Sequence, residues 1–179
     1  KIYLNDYQID TFPVSNAEYL KFMNEGGYDD YSFWLSDGWD AVEKNEWNSP
    51  MYWEKDEDQW ITRDFAGKRK INQNEPVCHV SFYEASAYCK WANKRLPTEA
   101  EWEKAALWNN EKGVKTDFPW GNEKPTESHA NLLESNIWNC SDIGSYENGK
   151  SNYGCYQMIG DVWEWTASEF VGYPGFKSG

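Results

Sequence analysis

The stretch from Val80 to Trp108, VSFYEASAYCKWANKRLPTEAEWEKAALW, constrains the fold more than any other, because two helix starts are written into it. Ser81 is followed three residues on by Glu84, and Thr98 by Glu101. In each pair the hydroxyl can accept from the backbone N–H three residues ahead, while the carboxylate reaches back to the N–H of the cap itself. Two orphan donors at the helix start are thereby satisfied reciprocally. After Ser81 the residues Ala85, Tyr88, Cys89 and Ala92 recur at spacings of three and four, and Asn93 offers a left-handed stop. After Thr98 the residues Trp102, Ala105 and Ala106 repeat the pattern. Pro97 stands just ahead of that cap, and acidic residues fill the first turn, where the helix dipole favours them. The spacing predicts two amphipathic helices in succession.

A third capping box, Ser15 with Glu18, opens a helix expected to run to about Asn24, with Tyr19, Phe22 and Met23 facing inward. Val14 is placed to staple against Tyr19, and Gly26-Gly27 ends the helix. Residues 1 to 12 alternate apolar and polar, which predicts one strand or a short hairpin. From Tyr28 to Pro50 turn signals dominate, with a short helix expected around Trp39 to Lys44. Met51 to Glu54 and Gln59 to Arg63 flank the acidic tip KDED and predict a hairpin whose charged loop faces water. Pro76 to Val80 is expected to enter the helix pair extended. Beyond Trp108 turn signals follow one another too closely for long elements, so residues 109 to 160 are expected to be mostly loop. Loops of that length in a compact domain are functional or are tied down by something other than a ladder. In GDVWEWTASEF the alternation of Val162, Trp163 and Trp165 predicts a short buried strand.

A mean hydropathy of −0.90 would point to disorder if 12 Trp, 12 Tyr and 8 Phe did not supply large areas for burial. The expectation is a single domain over 1–179 with an aromatic core and little regular structure. A net charge of −13 opposes association with phosphate backbones, and no Lys/Arg cluster interrupts it, so no nucleic-acid partner is expected. No apolar run approaches the roughly 20 residues of a membrane span. Lys1 opens directly into strand-like sequence without a signal peptide, which reads as a cytoplasmic piece of something longer. Cys78, Cys89, Cys140 and Cys155 form no C-x-x-C pair, so reduced, packed thiols are expected. His79, at the entry to the helix pair, is expected to bond a backbone carbonyl.

The segments PVCHVSFYEASAYCKWANKRLPTEAEWEKAA, FPWGN, HANL and GCYQMIGDVWEWTASEF, in that order, resemble the formylglycine-generating-enzyme (sulfatase-modifying-factor) domain. Within that superfamily, GGYDDYSFWLSDGWDAVEKNEWNSPMYWE, GDVWEWTAS and GYPGF resemble the C-terminal domain of ergothioneine sulfoxide synthases. The resemblance implies a C-type-lectin-like α+β fold with low regular secondary structure. It implies a non-haem Fe(II), O2-dependent chemistry joining cysteine or γ-glutamylcysteine to trimethylhistidine. The iron ligands would come from an upstream helical-bundle domain, outside this chain, which contains only His79 and His129. The catalytic tyrosine of those synthases and the cysteine pair of formylglycine-generating enzymes would both lie beyond Gly179. The resemblance also places structural calcium near Asp161 and Glu164 of GDVWEW, with a second candidate at Asn131 of HANL. The alternative is that Asp161 caps a turn and Glu164 pairs with an arginine such as Arg95. Two other functions stay open: a non-catalytic C-type-lectin-like binding module, or another oxidase of the superfamily.

Overall fold

The computed structural model describes residues 2–64, 67–173 and 175–177; Lys1 of the expected N-terminal strand, Pro174 of the GYPGF ending, and Gly179 lie outside the described residues. Helix α1 spans Asn16–Asn24, α2 Ser36–Asn45, α3 Phe82–Trp91 and α4 Glu99–Leu107. The caps of α1, α3 and α4 are the three capping boxes. The Glu18, Glu84 and Glu101 N–H groups donate to Ser15 Oγ, Ser81 Oγ and Thr98 Oγ1 at 3.2, 3.3 and 3.3 Å. The three carboxylates accept from the caps' own N–H groups at 2.9, 2.6 and 2.8 Å. Asn93 sits at φ 55, and the Lys94 N–H closes onto Cys89 O at 2.7 Å, ending α3 as the sequence predicts. Helix α2 begins at Ser36, earlier than expected, and its cap, Leu35, makes no side-chain bond that would have marked the start in the sequence.

Strands β1 (Trp53–Asp56), β2 (Gln59–Asp64) and β3 (Gly67–Lys70) form an antiparallel meander. The register pairs Asp56 with Gln59 and Ile61 with Lys70. Glu57 takes φ 52 in the tight acidic turn, with its side chain in water. Arg69 on β3 fastens the sheet to the chain beyond it, donating to Asp64 at 2.7 Å and to both Glu75 oxygens at 3.2 and 2.7 Å. A two-residue ladder pairs Trp108–Asn109 (β4) with Val114–Lys115 (β5). The rest of 109–173 holds only two short 3-10 turns among the described residues, so the irregularity read from its turn signals is what the fold adopts.

The core lies between α1 and α3. Tyr19, Phe22, Tyr28, Trp34, Val42, Ala87 and Tyr88 are buried together. Aromatic cores need partners for their polar tips. Trp34 Nε1 donates to Gly27 O at 2.8 Å, Tyr28 OH donates to Glu84 Oε1 at 2.6 Å, and the Tyr19 and Tyr28 hydroxyls share a bond of 3.1 Å. Burial holds both phenols well above their ordinary pKa, so they stay protonated. Glu84 therefore serves twice, as capping carboxylate of α3 and as acceptor for the core. A second cluster, Ala105, Ala106, Cys155 and Met158, joins α4 to the loop region.

Three expectations are corrected. Residues 2–12 form no strand: Ile2 and Tyr3 are exposed, and the segment is held by isolated contacts such as Tyr7 OH to Glu101 O at 2.7 Å. Alternation alone makes a strand only where a neighbouring edge can pair with it. Residues 160–170 likewise form no strand, and Trp163 is 102 % exposed rather than core. This segment is pinned by single bonds instead, Ala167 N–H to Pro97 O at 2.8 Å and Trp165 Nε1 to Val80 O at 2.9 Å. The link 76–80 is not extended throughout, because His79 lies in the left-handed region at φ 63.

The α4 cap carries a pH dependence. Arg95 grips Glu101 with two bonds of 2.8 and 2.7 Å, and these, with the Thr98 N–H, hold the Glu101 carboxyl down at about 2. A carboxylate depressed in the folded state contributes stability above its unfolded pKa and loses it as pH falls towards the folded value. Glu101 is 7 % exposed, but its lid is an Arg95 side chain that is 62 % exposed, so solvent screens the pair. Between about pH 5 and pH 2 we expect a loss of roughly 1–2 kcal/mol from this group. Urea midpoints measured across that range should show Glu101→Gln with a shallower pH slope than wild type.

Candidate functional site

Residues of α3, of α4 and of the link between them line a groove of about 440 Å³. Tyr88 and Cys89 of α3, Trp102 of α4, Phe12 and Tyr156 line it, and Trp163 and Trp165 stand at it. Trp165 meets Phe82 edge-on at 6.0 Å. Trp102 Nε1 donates to the Glu164 carboxylate. Glu164 is exposed as a residue, yet protein crowds its carboxyl: desolvation pushes its pKa up, and the Trp102 bond opposes that. The alternative reading, an ion pair of Glu164 with an arginine such as Arg95, is not formed with Arg95, which is committed to Glu101. Four charged groups at the groove are paired with each other (Lys94 with Asp10 at 2.8 Å, Arg95 with Glu101), Glu164 is held by the Trp102 indole, and the rest of the lining is largely aromatic and aliphatic. Such a surface can exclude water and pack a partner or an apolar ligand.

Of the three sequence-predicted metal candidates, Asn131 and Asp161 come together and Glu164 does not. Asp161 sits at φ 54, after Gly160, where a Cβ would lie 2.6 Å from Asn131 O. Asp161 Oδ1 accepts from Asn131 Nδ2 at 2.8 Å and from the Ser141 N–H at 2.7 Å; Oδ2 accepts from Gln157 Nε2 at 2.6 Å. The amides are held in that sense from behind, by Asn131 Nδ2 to Asn139 O at 2.8 Å and Gly144 N–H to Gln157 Oε1 at 2.8 Å. Ca2+ takes oxygen ligands, and this carboxylate is surrounded by N–H groups. As arranged, these residues do not fit the ion. Gln157 and Ser141 were not read from the sequence, although Gln157 precedes Asp161 by four residues, a spacing that could have flagged it.

Nor do the histidines make a metal centre. His79 is exposed and packs edge-on against Tyr52 at 5.0 Å, not with its ring on a backbone carbonyl; the backbone bond is made by its own carbonyl, from Met51 N–H at 3.3 Å. His129 stacks on Trp120 at 4.6 Å, and its Nδ1 meets Thr126 Oγ1 at 2.8 Å. Among the described residues no group of three or more His, Cys, Asp or Glu side chains could hold a metal ion. The residues present do not fit an iron site. All four cysteines carry free thiols.

The comparisons with known proteins follow the same lines. The family model for the sulfatase-modifying factor enzyme 1-like domain matches residues 1–178. A hercynine oxygenase from Mycolicibacterium smegmatis is 42 % identical over 170 residues, 95 % of this chain and 39 % of that protein. The hercynine oxygenase of Mycobacterium tuberculosis is 41 % identical over the same shares. A formylglycine-generating enzyme from Mus musculus is 32 % identical over 93 % of this chain and 50 % of its own length. The chain thus spans about two-fifths of the hercynine oxygenases it matches. With four helices and two small antiparallel sheets around a long irregular segment, and a family match over residues 1–178, this chain belongs to the sulfatase-modifying factor enzyme 1-like family.

Proposed function

We propose that this chain is the C-terminal domain of a non-haem iron, O2-dependent sulfoxide synthase, joining a cysteine-type thiol to trimethylhistidine in ergothioneine biosynthesis. The observation that carries the reading is the gap in identity: 42 % and 41 % to two hercynine oxygenases against 32 % to a formylglycine-generating enzyme. In this reading Fe(II) is held by an upstream helical-bundle domain, and the iron supplies the O2 chemistry when bound. This chain's part is to wall the pocket. The aromatic groove between α3 and α4, with Trp163 standing free, supports a role as the face turned to that domain. The small-molecule partners are trimethylhistidine, cysteine or γ-glutamylcysteine, and O2. The place of action is the cytoplasm.

The test is O2 consumption by the complete gene product with Fe(II), in the presence and absence of each organic substrate. Consumption that requires both trimethylhistidine and the thiol is expected, and residues 1–179 alone should consume none. Turnover by residues 1–179 alone would overturn the assignment of the iron ligands. Binding of a small molecule by the complete product without any O2 uptake would favour a lectin-like binding module.

A further inference from the structure

Two segments that contribute to the groove lined by α3 and α4 carry the pattern of strands and have no ladder. Between Ile2 and Val14 no residue takes a positive φ, and Tyr7 and Ile9 are half-buried while Gln8 and Asp10 are exposed, the two-residue period of a strand. Backbone bonds tie this segment down only near its end among the described residues, Tyr156 N–H to Thr11 O at 2.8 Å and Val77 N–H to Val14 O at 2.9 Å. From Ile2 to Asp10 the main-chain groups have no main-chain partner there. The second segment, Val162 to Tyr173, is also free of positive φ and is held to Pro97 O through the Ala167 N–H at 2.8 Å. Its apolar side chains stand in the open: Trp163, Phe170, Val171 and Tyr173 are exposed. Beside the groove's aromatic rings, its lining includes Val14, Val77, Val80, Ala85, Met158 and Val162. A free strand edge beside apolar surface is a site that pairs with another strand.

We propose that the groove is completed by an extended segment of the same polypeptide from outside residues 1–179, which pairs its main chain with residues 2–10 and lays alternate apolar side chains on the groove lining. This rests on the reading of the chain as one domain of a longer protein; the hercynine oxygenases have most of their length outside the matched region. A strand is what the unpaired groups need, because a helix satisfies its own main chain and would leave those from Ile2 to Asp10 to water. Charge opposes a second copy of the chain, since each copy carries −13. Lys94 and Asp10, and Arg95 and Glu101, are already paired, so the side chains the segment turns inward are apolar. Tethering supplies an effective concentration that a free peptide lacks. Trp163, fully exposed, remains at the surface offered to the upstream domain.

Residue-resolved hydrogen exchange on the complete gene product tests this without a variant. Every second amide from Tyr3 to Asp10 is expected to exchange about 100-fold or more slowly than in an unstructured peptide of the same sequence, at a rate independent of protein concentration. With p-benzoylphenylalanine in place of Phe12, which lines the groove, irradiation should join this position to a site outside residues 1–179 of the same molecule. Exchange at the unstructured rate, protection that rises with protein concentration, or a cross-link confined to residues 1–179, to a second molecule or to the upstream helical bundle would each overturn the proposal. O2 uptake is read separately. Its absence with the protection intact would fail the synthase reading alone, and fast exchange in a product that consumes O2 with both substrates would fail the strand alone.

Discussion

Phe22→Ala is expected to destabilise this domain by about 4 kcal/mol, the cost of deleting a fully buried ring whose surroundings can collapse only in part. Phe22 is 0 % exposed. Its ring lies 5.3 Å from Tyr19, 5.9 Å from Tyr28 and Tyr88, and 5.7 Å from Trp91, so four aromatic side chains from α1, α3 and the α1–α2 turn lean on one residue. The chain has also made room for it: a Cβ on Gly27 would stand 2.3 Å from the Phe22 ring. The neighbours cannot simply close the gap, because Tyr28 and Trp34 are held by hydrogen bonds to Glu84 and Gly27. Phe22→Leu, which keeps most of the volume, should cost roughly 1–2 kcal/mol. Denaturant midpoints with an unchanged slope are the readout. A shift below about 1 kcal/mol for Phe22→Ala would place the core elsewhere.

Asp161→Ala is the second large effect, expected at about 3 kcal/mol. The substitution leaves the Asn131, Ser141 and Gln157 N–H groups without the acceptor they share, at roughly 1–3 kcal/mol for each donor left buried and unpaired, less whatever water recovers. It also puts alanine at φ 54, where a Cβ costs about 1 kcal/mol and aspartate or asparagine fits better. Asp161→Asn, which keeps an oxygen and tolerates that backbone, should lose about half as much. Hydrogen exchange at the Ser141 amide should accelerate in the alanine variant. Calcium is the control. A carboxylate already saturated by N–H groups predicts the same melting temperature in millimolar CaCl2 and in EGTA. A rise with calcium that disappears in Asp161→Ala would assign an ion to this carboxylate instead.

What the sequence made legible was local. Ser15, Ser81 and Thr98 each carry their glutamate three residues on, so the start of a helix is determined by side chains next to it, and all three starts stand where the spacing put them. The β1–β2 hairpin is legible for the same reason, its acidic tip being a local turn signal. Helix α2, capped by Leu35 without a side-chain bond, gave only its middle. The failures were of long range. Residues 2–12 and 160–170 alternate like strands, but no described strand edge lies beside them, and Trp163 is left fully exposed while Trp165 is held by single contacts to Val80 and Phe82. Strand β3, GKRK, shows no alternation because its side chains meet carboxylates of other segments, Lys68 with Glu54 and Arg69 with Glu75.

The candidate sites divide the same way. Asp161 and Asn131 could be singled out by their resemblance to a known motif, and they do meet, but the N–H groups of Ser141 and Gln157 that complete the arrangement depend on how the loop folds back. The alternative to calcium at Glu164 was an arginine such as Arg95; Arg95 had a nearer carboxylate in the cap of α4, and Glu164 took the indole of Trp102. The bonds that lay residues 142–143 along 72–74 are likewise of long range, and no spacing within the sequence encodes them.

The most direct test of the proposed chemistry is the mass of the product formed by the complete gene product with Fe(II), trimethylhistidine, cysteine or γ-glutamylcysteine, and 18O2. A product containing both organic substrates joined through sulfur, with one 18O on that sulfur, is the expected result. Unchanged trimethylhistidine, with the thiol oxidised only to its own disulfide, would contradict it.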